Sequence, residues 1–142
     1  MFVTLIEPDI GVHKIRVLVA DDHQQMLEYV CGLLSADHCE VVNAVNDGQA
    51  ALEGALRLRP DVVVLDISMP VMNGIQAAKR LLEANPDARI VFLTVDKDPD
   101  TCQAALQTGA LGYVLKPRLG GDLIPAIKLA HSGQRFVSQG CE

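Results

Sequence analysis

Residues 61–74 read DVVVLDISMPVMNG. Val62, Val63, Val64 and Leu65 form a short apolar run without alternation, the pattern of a strand buried on both faces, and Pro60 punctuates its approach. The run stops at Asp66. Pro70 and Asn73-Gly74 then mark a loop, and Ile75, Ala78, Leu81 and Leu82 follow at the spacing of a single helical stripe. The unit is a buried strand with an acidic end, a loop and an amphipathic helix.

The same unit recurs on either side. Apolar runs at 15–20, 41–45, 90–93 and 113–115 predict four further strands. Stripes at Met26, Leu27, Val30, Leu33 and Leu34, at Leu52, Ala55 and Leu56, and at Leu123, Ile127 and Ala130 predict helices between or after them. The stretch around Ala104, Ala105 and Leu106 is also expected to be helical, with the narrowest stripe and the loosest packing. Asp47-Gly48 opens a helix, Pro86 follows one and Gly109 closes another.

Five βα units joined by right-handed crossovers make either a closed barrel or an open sheet, and 142 residues are too few for a barrel. The predicted fold is therefore α/β and doubly wound. Its five parallel strands take the order 2-1-3-4-5 with helices on both faces, as in flavodoxin-like proteins. Hydrophobic residues make up 49% of the chain but aromatics only 4%, so the core must be built from Val, Ile, Leu and Ala. One domain is expected over 14–133, with loose tails at 1–13 and 134–142, the latter alternatively the start of a linker.

Composition also excludes some roles. A formal net charge of −6 argues against broad contact with nucleic acid, because phosphate binding needs Lys and Arg to displace counterions. The apolar start at 1–6 has no basic flank and is too short to be an export signal or a membrane span, so a soluble, cytoplasmic protein is expected. Cys31, Cys39, Cys102 and Cys141 form no C-x-x-C pair and are read as reduced and structural.

In an open parallel sheet, ligands bind beyond the carboxyl ends of the strands where the strand order reverses, here between the first and third strands. The first strand ends in Asp21-Asp22 and the third in Asp66; the fourth ends in Thr94 and the fifth in Lys116. Three crowded carboxylates repel one another unless a cation or proton intervenes, and a hard, oxygen-preferring cation such as Mg2+ resolves the conflict. Asp22, Asp66 and the backbone carbonyl of Ser68 are the expected ligands, with Asp21 acting through water. A lysine charge and a threonine hydroxyl suit a phosphoryl group, so Lys116 and Thr94 are expected to cradle phosphate.

The ordered set Asp21-Asp22, Leu65-Asp66, Met69-Pro70 with Asn73-Gly74, Leu93-Thr94 and Leu115-Lys116-Pro117 resembles the receiver domain of bacterial two-component response regulators. The resemblance runs from about Ile15 to Gly133, and the ordered set is far more specific than any one motif. It implies that Asp66 accepts a phosphoryl group, Asp21 and Asp22 form the acidic pair, Thr94 is the switch hydroxyl and Lys116 the phosphate lysine. Tyr113 falls at the family's switch aromatic position.

Ala20-Asp21-Asp22-His23, Gly112-Tyr113-Val114 and Ser132-Gly133-Gln134-Arg135-Phe136 further resemble the NarL/FixJ (LuxR-type) subfamily. That resemblance implies a sensor histidine kinase as phosphoryl donor, transcription regulation as output and a second copy of the chain as a candidate partner. DNA would be met only through a C-terminal helix-turn-helix domain absent from this chain, so a longer gene product is expected. Val95 departs from the family, which usually has a small residue after the switch threonine, and its bulk is expected to restrict access to the phosphoryl group.

Plainer readings stand beside these. Asp22 could cap the first helix, Thr94 could be an ordinary strand end, Lys116 a solvated charge and Tyr113 a half-buried ring with its hydroxyl in water. His23 and His38 lack partners at metal-ligand spacing and are read as surface residues. Gly120-Gly121 matches no phosphate-loop pattern. Among rival functions, an aspartyl-phosphate phosphatase would usually carry an acid where this chain has Ser68, together with a cap insertion that is missing. A stand-alone receiver, or a pseudo-receiver that binds partners without phosphorylation, would signal through protein contacts alone. Catalysis is expected only of the chain's own phosphorylation and dephosphorylation, not as an enzyme.

Overall fold

The computed structural model describes residues 13–141. The N-terminal tail expected over 1–13 lies, His13 apart, outside them, as does Glu142.

The chain alternates strand and helix: β1 (Ile15–Ala20), α1 (Gln24–Ala36), β2 (Cys39–Val45), α2 (Gly48–Leu58), β3 (Val62–Leu65), α3 (Gly74–Ala84), β4 (Ile90–Thr94), α4 (Pro99–Gln107), β5 (Gly112–Leu115), α5 (Leu119–His131) and β6 (Phe136–Val137). All pairings are parallel and the order is β2-β1-β3-β4-β5-β6, the doubly wound sheet expected plus one short strand. The β1–β2 register slips between Val17 and Leu18, and β2 begins two residues before the apolar run that marks it in the sequence.

Because side chains alternate across a strand, successive residues serve opposite layers. Val17, Val19, Val62, Val64, Val91, Leu93 and Val114 pack under α1 and α5, whose Leu27, Val30, Leu34, Leu123 and Ile127 face them. On the other face Leu18, Val63, Leu65, Phe92 and Tyr113 meet small residues of α2, α3 and α4, among them Ala51, Ala55, Ala77, Ala78 and Ala105. There the sheet supplies the bulk and the helices the close approach. The thin stripe of α4 leaves only Cys102 and Ala105 buried on that helix, in line with its sequence.

Three helix starts, those of α2, α3 and α4, are defined by side chains. Asp47 accepts from the Ala50 amide, Asp98 from the Asp100 amide, and Asn73 forms a reciprocal capping box with Gln76. The Asn73 cap also fixes the loop after β3. The Gly74 amide donates to the Ile67 carbonyl at 2.8 Å, and a Cβ at Gly74 would lie 2.0 Å from the Asp66 carbonyl oxygen. Only glycine allows α3 to start this close to the end of β3.

Two expectations are corrected. Residues 134–142 do not form a loose tail, as far as they are described: β6 pairs with β5, the Phe136 amide donates to Leu111 and the Ser138 amide to Tyr113. Ser138 Oγ accepts from the Leu115 amide at 3.1 Å and donates to Asp122 Oδ2 at 2.7 Å, tying the segment to both β5 and α5. The physical reason is that α5 acts as one more crossover, returning the chain beside an otherwise unpaired sheet edge. Nor are all cysteines reduced. Cys102 of α4 and Cys141 are disulfide-bonded across 6.5 Å between Cα atoms, while Cys31 and Cys39 are free.

Candidate functional site

Ala20 and Leu65 are register partners at the ends of β1 and β3, so the residues that follow, Asp21 and Asp66, emerge side by side. Backbone bonds hold both: the Asp66 amide donates to Ala20 and the Asp21 amide to Val45. Lys116, the first residue after β5, extends its side chain to the pair. Its Nζ lies 2.8 Å from Asp21 Oδ2 and 3.1 Å from Asp66 Oδ2. The remaining oxygens are also engaged, Asp66 Oδ1 by the Ile67 amide at 2.7 Å and Asp21 Oδ1 by the His23 amide at 2.8 Å.

Asp21 is only 2% and Asp66 4% exposed. Burial pushes the Asp66 pKa above the ordinary carboxylate value; the charge and hydrogen bond of Lys116 pull the other way without overcoming it, and Asp21 adds to the rise. For Lys116 burial works against the charged form, yet the hydrogen bonds and charges of Asp21 and Asp66 outweigh it and raise its pKa. The ammonium is held charged, while Asp66 is left with a net cost of ionisation set by its burial.

Asp22 is more open and does not cap α1, whose N-cap residue is His23 with no side-chain cap bond. The helix-cap reading of Asp22 is thereby excluded. Oxygens of Asp21, Asp22 and Asp66 and a ring nitrogen of His23 all lie within 4.8 Å of one another. With three carboxylates against one ammonium, the site carries two uncompensated negative charges, a donor set and charge that fit a divalent, oxygen-preferring cation.

Thr94 ends β4 and is buried, but its Oγ1 accepts from the Asp96 amide at 3.2 Å. Tyr113 is 0% exposed, not half-buried: its ring packs 6.2 Å from that of Phe92, and its hydroxyl donates to the Asp96 carbonyl at 2.6 Å. Burial first, then the carboxylates of Asp96, Asp98 and Asp66, pushes the phenol well above its usual pKa range. Thr94 and Tyr113 therefore do not touch the acidic cluster through these bonds; both converge on Asp96. Ser68 is exposed on the loop after β3. Val95 is 70% exposed and, with His23, Met26, Tyr29 and Lys116, lines a hollow of 410 Å3 beside the cluster.

His23 is a surface residue, as the sequence suggests, with its side chain 72% exposed, and it also stands beside the acidic pair. Its Nδ1 stands 3.4 Å from Asp21 Oδ1 and 3.2 Å from Asp22 Oδ1, and adjacency to the acidic pair was the signal for it. Asn46 was missed: its side-chain amide donates to the Asp21 carbonyl at 3.2 Å, and the contact spans 25 residues with no local pattern to reveal it.

Comparison with known proteins places this geometry. The sequence matches the response regulator receiver domain family over residues 17–128. The response regulator GacA of Pseudomonas viridiflava is 37% identical over 125 residues, covering 87% of this chain and 58% of GacA. The chain thus spans little more than half the length of that curated relative. Among solved structures, a LuxR-family two-component response regulator from Aurantimonas sp. SI85-9A1 superposes with a TM-score of 0.86 at 28% identity, covering 90% of this chain and 92% of the other. The signal receiver domain of NarL from Mycobacterium tuberculosis gives 0.82 at 34% identity, covering 86% and 99%. A doubly wound sheet with Asp21, Asp66 and Lys116 gathered at its carboxyl edge, matched over most of its length, belongs to the response regulator receiver domain family.

Proposed function

We propose that this chain is a phosphorylation-dependent signalling switch in which the carboxylate of Asp66 takes a phosphoryl group from the phosphohistidine of a sensor kinase. The observation that carries this reading is the buried triad in which Lys116 bridges Asp21 and Asp66. An Asp66 oxygen attacks phosphorus, the bond from phosphorus to the kinase imidazole breaks, and the imidazole keeps the electron pair. Such transfers rely on positioning and charge neutralisation, and need no general base because Asp66 attacks as an anion. Lys116 is placed to follow the new phosphoryl oxygens as Asp66 gives up its carboxylate charge, and Asp21 keeps the ammonium oriented meanwhile.

Mg2+ would be held by Asp22, Asp66 and the Ser68 carbonyl, with Asp21 acting through water. Bound there, the cation would supply further neutralisation of the phosphoryl oxygens. Thr94 would turn its hydroxyl from the Asp96 amide to the phosphoryl group. Tyr113 already occupies the interior, so the movement it would report is a change in its bond to Asp96 rather than entry of the ring. Val95 at the rim of the hollow would slow entry of the phosphoryl donor. The receiver unit, expected over 14–133 from the sequence, also takes in β6 and Ser138, in a cytoplasmic protein whose output is transcription regulation through a separate DNA-binding domain.

Calorimetric titration with Mg2+ tests the site. Asp22→Ala should lose most of the affinity and Asp21→Ala less; equal affinity in Asp22→Ala and the parent would overturn the ligand assignment.

A further inference from the structure

The Cys102–Cys141 bond joins α4 to the segment after β6, two elements that otherwise share little. α4 buries only Cys102 and Ala105. The segment is zipped to β5 by the Phe136 and Ser138 amides, and Ser138 is fully buried. One covalent bond thus fastens the most thinly packed helix to a stretch anchored at the sheet edge. It lies in the wall of an apolar groove of 510 Å3 whose lining includes Cys102, Leu106, Val137, Cys141 and Arg135. The groove gives a small molecule a route to two sulfurs that are otherwise buried, and among the described residues Arg135 is the one charged residue lining it. Cys31 and Cys39 are both free.

We propose that Cys102 and Cys141 are a reversible thiol–disulfide site, exchanging with an anionic low-molecular-mass disulfide, and that their bond sets the mobility of α4. In the forming direction one cysteine thiolate attacks the small disulfide and releases one small thiol. The second cysteine thiolate then attacks the protein-bound sulfur and releases the other. The two cysteines are oxidised, the small disulfide is reduced to two thiols, and the two cysteine protons are taken up in that pair. In a compartment kept reducing, disulfides of this kind are usually transient and redox-sensing. The site itself is independent of the proposed phosphoryl switch. Its consequence for signalling rests on that reading, because α4 follows directly on the Thr94–Asp96 loop whose carbonyl holds Tyr113.

The test equilibrates the full chain with glutathione and glutathione disulfide at a series of ratios. Denaturing alkylation and intact mass count free thiols, and hydrogen exchange follows residues 99–107. The expected result is four alkylated cysteines at the reducing end and two at the oxidising end, with a linked Cys102–Cys141 peptide and exchange in α4 slowed at least about tenfold. Cys141→Ser should exchange like the reduced parent at every ratio. Four free thiols throughout, or linked cysteines with unchanged exchange in α4, would overturn the proposal. Labelling by acetyl phosphate separates the two readings. No label on the reduced chain sinks the switch while the thiol count and exchange still decide the redox site, and equal labelling rates at both ends of the series refute the coupling.

Discussion

The carboxyl edge of β1 and β3 and the outer edge formed by α4, β5 and β6 are built on different principles. At the first, charges from three strand ends are pressed together and nearly every oxygen of Asp21 and Asp66 has a partner within the protein. At the second, a helix with two buried residues is held by capping, backbone pairing of its neighbours and one disulfide. The difference separates a place where geometry must not change from a place where it can. Fixed charges at low dielectric do chemistry only if they are held; an element that reports on them must be cheap to displace.

The comparison breaks first at Lys116. Removing it leaves two buried carboxylates without their counter-charge, so in chelator Lys116→Met should lose about 3–5 kcal/mol of unfolding free energy. Mg2+ should return more of that loss than it adds to the parent, since the cation balances the same excess. Denaturant melts with and without Mg2+ measure both, and an unaltered midpoint in chelator would show that the triad is not under electrostatic stress.

At the outer edge, reduction of a bond that closes a 39-residue separation should lower stability by about 2–4 kcal/mol. The loss should be confined to the α4 side, leaving Mg2+ affinity at the β1–β3 crevice unchanged; a parallel drop in affinity would mean that the two regions are one cooperative unit. Gly74→Ala probes the crevice from its loop. Its methyl would meet the Asp66 carbonyl at 2.0 Å, so the loop must shift, at about 1–3 kcal/mol, with a loss of Mg2+ affinity that a surface Gly→Ala would not cause.

The charged triad of the crevice was legible in the sequence because Asp21, Asp66 and Lys116 each follow directly on a strand end. Val62–Leu65 and Ile90–Thr94 are nearly pure apolar runs, so the first polar residue at or after each marks the end of the sheet, and topology does the rest. What stayed hidden has no local pattern. β6 is two residues long and gains its identity only from β5, twenty-four positions away in register. The Cys102–Cys141 spacing matches no motif, and only the return of the chain through α5 brings the two together. His23 is on the surface as read, and its nearness to the acidic pair comes from its own sequence neighbours.

A smaller effect follows from the raised pKa of Asp66. The folded chain keeps its proton over a window where the unfolded chain, at the ordinary value of 3.8, has lost it. Ionisation of Asp66 therefore costs stability, and the cost is relieved as pH falls through the folded pKa towards 3.8. In chelator the stability gap between Asp66→Asn and the parent should narrow over that window. A gap that widens on acidification would reverse the sign of the shift. Lys116, raised by its carboxylates, should contribute below 10.5 for as long as those carboxylates are ionised, and lose its contribution on the alkaline side as pH climbs through its folded pKa.

The central claim is that Asp66 is the residue that takes the phosphoryl group. Its most direct test is the intact mass of the parent and of Asp66→Asn after incubation with acetyl phosphate and Mg2+. The parent should gain one phosphoryl group, lost again when Mg2+ is chelated and the acyl phosphate is hydrolysed in base, and Asp66→Asn should gain none. Equal labelling of the two proteins, or no labelling of a folded, Mg2+-binding parent, would contradict the account.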